Sequence, residues 1–228
     1  MTLSIINYIS AFIILFFILF SYCHISRLKT LNNELKILQV VDPDENIIYE
    51  LFDKHQPIVF QKELFYWKEF NKLIGKSLFD IKNDIAINTE LNYSEYIKNN
   101  IDIYNLPLSY DWNIDIRNVA FDNKSAICFI KQNNYMQLFG CVSSEMRIII
   151  ATPDQYKSLE PFVNMVSSID ATQILDKEPM ELNFIEIIIR KGNVIYIPYG
   201  WFYFIYRSQS NEECVIIDCI NKSLLSYI

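Results

Sequence analysis

The chain has 228 residues, enough for one domain, such as an all-β barrel with a helical lead-in, and for a full core without covalent staples. Its 20 Lys and Arg stand against 27 Asp and Glu, and a net charge of -7 leaves no basic stripe to neutralise phosphates, which argues against nucleic acid as a partner. Cys23, Cys128, Cys141, Cys214 and Cys219 are odd in number and lack C-x-x-C spacing, so they form neither a disulfide framework nor a zinc signature. Buried free thiols are the expectation, with a single disulfide as the alternative.

From Leu3 to Cys23 there is no charged residue, and the centre of the stretch is dense in Ile, Leu and Phe. A helix of that length rises ~1.5 Å per residue and spans ~30 Å, the thickness of a bilayer core. Tyr8 and Tyr22 near its ends suit the interfacial aromatic positions. The rival reading is a cleaved signal peptide, which needs a basic start and small residues at the cut. The first ten residues hold no Lys or Arg, and Phe20-Ser21-Tyr22-Cys23-His24 offers no such site. Residues 1–24 therefore read as an uncleaved anchor, making the membrane itself a partner. Arg27, Lys29 and Lys36 follow the span, so the positive-inside rule puts the domain of this single-pass protein on the cytoplasmic side. The sequons at Asn92, Asn123 and Asn221 would then go unused.

Leu28, Leu31, Leu35 and Leu38 recur at three and four residues. That spacing predicts a juxtamembrane helix over 25–41, packed on its own domain or paired as a short coiled coil. Asp42-Pro43-Asp44-Glu45 breaks it and opens a domain over 42–228. Within the domain the pattern predicts a helix over 45–54 and a strand over 58–61. A second helix covers 67–74, with Gly75 as C-cap, and a third covers 92–98, with Asn92 as N-cap. Residues 102–122 read as irregular. Strands then dominate, over 126–130, 135–142, 146–151, 184–190, 194–197, 201–207 and 214–220. The run 184–189 alternates only partly, as in a strand covered on both faces. The fold class is mainly β with helical N-terminal additions. No internal repeat, glycine-rich phosphate loop or nucleophile elbow is present.

Lys191-Gly192-Asn193-Val194-Ile195-Tyr196-Ile197-Pro198-Tyr199-Gly200-Trp201-Phe202-Tyr203 reads as a strand, a tight turn and a second aromatic strand. Pro198 supplies a fixed φ for the turn and Gly200 a permissive one. This run resembles the C-terminal signature of the cupin-like and JmjC-like double-stranded β-helix proteins, the 2-oxoglutarate oxygenase superfamily, roughly G-D-[VLI]-[LIV]-[YF]-[IV]-P-x-G-W-[WFY]-H. Upstream, Lys54-His55-Gln56-Pro57-Ile58-Val59-Phe60 before Trp67 looks like the family's opening strand. The run from Ser144 to Pro153 is similar to its G-x-K-x-[IVW]-x-L-x-x-P strand, and 154–159 to the turn that follows. The resemblance implies a jelly roll behind the membrane helix.

It also implies a position for the family's iron, held by an H-x-[DE] pair and a distal His that leave open sites for 2-oxoglutarate and oxygen. Here the distal position is Tyr203. Counting back from Pro153 puts the H-x-D window at Lys131-Gln132-Asn133; counting from Gly140 puts it near Ile127-Cys128-Phe129. Neither holds a His or a carboxylate, and the only histidines are His24 and His55. Lys131, Asn133 and Tyr203 thus mark a degenerate metal site, with no catalytic residue and no cofactor expected. Lys131, Tyr196, Trp201 and Tyr203 line a possible pocket or, for the aromatics, pack the interior. Lys131 is an anion anchor there or, with a slip of one residue, an ordinary solvated side chain. The first functional reading is a membrane-tethered, non-catalytic binding or scaffold protein with a protein partner. The others are a divergent Fe(II)/2-oxoglutarate-dependent hydroxylase or demethylase, and a metal-free small-molecule sensor.

Overall fold

Short runs rich in β-branched and aromatic residues build the body of the chain as two β-sheets, whose central strands are buried on both faces. The computed structural model describes residues 2–28, 30–42, 45–67, 70–87, 109–119, 129–159, 183–207 and 212–223. In chain order the elements are α1 (Thr2–Leu28), β1 (Leu38–Val41), α2 (Glu45–Phe52), β2 (Ile58–Gln61), α3 (Leu78–Ile87), β3 (Ser109–Asn118) and β4 (Ile130–Lys131). There follow β5 (Met136–Cys141), β6 (Glu145–Ala151), a helical turn over Tyr156–Leu159, β7 (Phe184–Arg190), β8 (Val194–Ile197), β9 (Phe202–Arg207) and β10 (Val215–Ser223). One sheet has the order β1-β2-β8-β5-β10-β3 and the other β4-β9-β6-β7. The protein is mainly β, with an apolar N-terminal helix.

Three apolar layers hold these sheets. Between them, Phe139, Ile195, Ile197 and Ile216 of the six-stranded sheet meet Met146, Ile148, Ile150, Tyr203 and Ile205 of the four-stranded one. The outer face of the larger sheet, with Leu138, Val194, Tyr196 and Ile217, is covered by α2, Trp67, Phe70 and Ile81. The outer face of the smaller sheet carries Ile149, Phe202, Phe204 and Tyr206 against Phe129 and Leu159. Fully burying such side chains contributes about 1.5–3 kcal/mol each, so the inter-sheet layer is a principal source of stability.

The N-terminal helix contains a window, Ile6–Cys23, of mean hydropathy 2.1 that is long and apolar enough to cross a membrane. The juxtamembrane helix expected over 25–41 does not form. Helix α1 ends at Leu28, residues 30–37 form no regular element, and β1 pairs in parallel with β2, Leu38 opposite Ile58. Asn32 is the physical reason: its Oδ1 accepts from the Glu34 N–H at 2.8 Å while its Nδ2 donates to the Lys54 carbonyl at 2.7 Å. Such local side-chain bonding competes with helix formation. Leu35 and Ile37 pack on the inter-sheet layer instead of on a helical stripe.

Other expectations change in detail. In place of a helix over 67–74, short 3-10 turns cover Glu63–Phe65 and Phe70–Leu73, and Gly75, at φ 87°, donates its N–H to the Val142 carbonyl. The stretch taken as irregular contains β3, whose Ile114 and Ile116 alternate with Asn113, Asp115 and Arg117 and pack outward on the helical layer. Helix α3 was not expected; Ser77 caps it, accepting from the Asp80 N–H at 3.1 Å and donating to the Asp80 carboxylate at 2.6 Å. Strand β7 is an edge with Ile188 45% exposed, so its partial alternation reflects a half-exposed edge rather than cover on both faces. The predicted helix over 92–98 and residues 126–128 lie outside the described residues.

Candidate functional site

At one end of the inter-sheet layer the side chains turn polar. Parity explains how. Gln137 shares the inner face of β5 with Phe139, Asp218 that of β10 with Ile216, and Tyr203 that of β9 with Ile205. The Tyr203 hydroxyl donates to Gln137 Oε1 at 3.3 Å, and Gln137 Nε2 donates to Asp218 Oδ1 at 3.0 Å. Arg117 on β3 closes the chain, donating from Nη2 to Asp218 Oδ2 at 3.2 Å. Gln137 also accepts from Asn134 Nδ2 at 3.5 Å.

The turn before β9 is tied to the same region. Gln132 exchanges backbone bonds with it, accepting from the Gly200 N–H at 2.7 Å and donating to the Trp201 carbonyl at 2.8 Å. Its side chain donates to the Ile197 carbonyl and accepts from the Asn134 N–H, at 3.3 and 2.7 Å. A buried amide with all these partners fixes the loop between β4 and β5.

Electrostatically the chain is centred on Asp218. Burial pushes its carboxyl above the usual range, while Gln137 and Arg117 pull it back. Burial likewise raises the Tyr203 phenol, with the Asp218 charge adding to the effect, so the hydroxyl stays protonated and acts as a donor. The donors around Tyr203 are thus a phenol, an amide and one carboxylate already paired with Arg117. That set does not fit an iron taking two imidazoles and a carboxylate. The carbonyl of His55 accepts from Trp201 Nε1 at 3.1 Å, ahead of β2. Among the described residues there is no group of three or more His, Cys, Asp or Glu that could hold a metal ion.

The residues singled out in the sequence do not share one cavity. Tyr203 and Trp201 lie in the inter-sheet layer. Lys131 stands opposite Phe202, and Ile130 opposite Tyr203, so Lys131 points to the outer face of the smaller sheet. Its Nζ lies 5.0 Å from the centroid of the Tyr156 ring. Asn133 is exposed. Tyr196 packs on the other outer face, its ring centroid 4.7 Å from that of Phe52. The single-residue alternation of a strand separates neighbours onto opposite faces, which corrects the expected pocket of Lys131, Tyr196, Trp201 and Tyr203. The reading of Lys131 as an anion anchor beside Tyr203 loses its geometry with it.

The residues that do meet Tyr203 carried a signal that sequence reasoning passed over. Gln137 is the one polar side chain of β5, Asp218 interrupts the apolar run Val215–Ile220 of β10, and burial leaves them 3% and 8% exposed. At the opposite end of the sheets a shallow cleft of about 290 Å³ lies between Ser77, Ser143, Ser144 and Glu213. Its carboxylates are committed locally: Glu213 accepts from the Leu78 N–H at 3.2 Å and Glu212 from Ser144 at 2.9 Å. No protein-family model matches the chain, and no curated protein matches it.

Proposed function

We propose that the chain is a membrane-anchored jelly-roll domain that works as a non-catalytic binding or scaffold module for a protein partner. The single observation that carries this reading is the hydrogen-bonded chain Tyr203–Gln137–Asp218–Arg117, built around the residue that the resemblance aligns with a distal iron ligand. A functional claim rests on a site rather than a fold, and this site offers no free donor set for a redox metal.

Support for the jelly roll comes from the strand order. Setting aside β1 and β2, each sheet has four antiparallel strands, β8-β5-β10-β3 and β4-β9-β6-β7, and the chain crosses between them after β3, β4, β5, β7, β8 and β9. The motif 191–203 makes one such crossing, from β8 to β9. Support for the anchor comes from the hydropathy of Ile6–Cys23, and for a cytoplasmic domain from Arg27, Lys29 and Lys36.

The test is metal analysis of the full chain, purified in detergent without added iron, followed by a 2-oxoglutarate turnover assay with Fe(II). Substoichiometric metal and no turnover are expected; stoichiometric iron with turnover overturns the reading. Sidedness is tested separately. Glycosylation at Asn92, Asn123 or Asn221 in microsomes would move the domain to the other side.

A further inference from the structure

The way the chain leaves the membrane helix sets what lies next to the bilayer. Helix α1 runs five residues past Cys23, to Leu28, a rise of ~7.5 Å, comparable with the ~5–7 Å headgroup layer on each side of a bilayer. Thr30 Oγ1 still donates to the Ser26 carbonyl at 3.1 Å. The next residue, Leu31, already sits on the sheet, its side chain filling the space a methyl group at Gly200 would need, with Pro153 flanking the same point at 3.7 Å. The turn around Gly200 and the segment beginning at Pro153 are therefore held close to the lipid surface.

That face has the chemistry of an interfacial surface. Leu31 is 50% exposed and Tyr156 43%. Lys131 lies over the Tyr156 ring, and Lys157 is exposed beside it. Lys36 is exposed on the linker. Among the described residues there, these lysines stand beside two acidic groups, Asp154, which accepts from Thr152, and Glu34, which accepts from Gln56 at 2.8 Å. A lysine-rich, tyrosine-bearing end in a chain of net charge -7 is a local reversal of sign. Tyr suits the headgroup level, and Lys adjoining a span is attracted to anionic lipid.

We propose that the face formed by Leu31, Tyr156, Lys131 and Lys157 docks on the anionic headgroup layer of the membrane that holds α1. The proposal rests on α1 being inserted, and not on the chemistry of the Tyr203 site.

The experiment uses the full chain in nanodiscs of phosphatidylcholine, with and without phosphatidylserine, and in detergent. Lysine acetylation rates are read by mass spectrometry. Lys131 and Lys157 are expected to label several-fold more slowly in serine-containing discs, with high salt restoring the rate. Lys191, at the other end of β8, serves as the unaffected control. Exchange of the amides over 153–159 should slow in parallel, and Lys131→Glu with Lys157→Glu should abolish that slowing. Persistence of the protein in discs after an alkaline wash reports insertion of α1 independently. Equal rates at Lys131 and Lys157 in an inserted protein overturn the proposal. So does equal protection in discs without phosphatidylserine. Protection already present in detergent, with doubled particle mass, assigns the face to a second copy and overturns it as well.

Discussion

Tyr203 and Asp218 are joined through one amide: Gln137 accepts from the phenol at 3.3 Å and donates to the carboxylate at 3.0 Å. The glutamine is therefore the residue on which the buried chain turns, because it is the only one bonded to both neighbours as acceptor and donor.

Removing the ends and the middle of that chain should differ. Tyr203→Phe takes away one donor and leaves Gln137 Oε1 with Asn134, so it should cost about 1 kcal/mol or less. Gln137→Leu strips a donor from a buried carboxylate and should cost more, about 1–3 kcal/mol. Denaturant unfolding of the purified chain measures both. Equal losses would break the assignment of Gln137 as the bridge.

Asp218 should make stability depend on pH in the unusual direction. Burial raises its folded pKa above the ordinary 3.8, so between those two values the folded state binds more protons than the unfolded state. Its contribution is greatest at low pH and declines as pH rises from about the ordinary carboxyl value through the raised one. Asp218→Asn should remove that decline from a plot of unfolding free energy against pH. A slope unchanged in the variant would show that the carboxylate is not desolvated.

Glu186 should behave oppositely. Tyr206 donates to its Oε1 at 2.6 Å and Arg147 at 2.7 Å, and the Tyr206 hydrogen bond, with the Arg147 hydrogen bond and charge, holds its carboxyl below the usual value. Its contribution is present above the ordinary carboxyl pKa and lost as pH falls through the depressed one. Tyr206→Phe should move the Glu186 midpoint upward in a carboxyl NMR titration, and so should Arg147→Met; an unmoved midpoint in both would show that neither partner holds the carboxylate. The Tyr206 phenol is itself pushed up to about 12, so it remains a donor across that titration.

Gly192 opens β8 at φ 86°, and a methyl group there would overlap the Phe65 ring. Gly192→Ala should cost about 1–2 kcal/mol for the backbone alone, with the overlap added. Phe65→Ala in the same chain should restore the second part and not the first. A double-mutant cycle with no coupling would mean that the two residues do not meet.

The mainly-β body was legible because short runs of β-branched and aromatic residues bounded by turn signals mark strands: 58–61, 184–190 and 194–197 coincide with β2, β7 and β8. Strand β3 escaped because Pro107 and a run of Asp and Asn suggested a loop, although Ile114 and Ile116 kept the alternation. The leucine spacing of 28–38 misled because Leu31 packs on Gly200, Leu35 on the inter-sheet layer and Leu38 on the helical layer, with Asn32 stopping the helix. At the site, Tyr203 was found through a motif, while Gln137, Asp218 and Arg117 come from three other strands that only the sheet pairing assembles.

The pairing of β1 with β2 bears on where a stable fragment begins. A fragment beginning at residue 42 lacks β1 and leaves the hydrogen-bonding edge of β2 bare, along with the contacts of Leu35 and Ile37. It should aggregate or melt well below a fragment beginning at residue 30. Size-exclusion chromatography and thermal unfolding of the two fragments compare them directly.

Helix α1 runs into an edge strand after so few residues that the body of the chain has no leash. A long flexible linker would let a tethered module sweep a wide volume. With α1 in a bilayer, as proposed, this body would travel only where the helix diffuses, and its encounters would be confined to two dimensions.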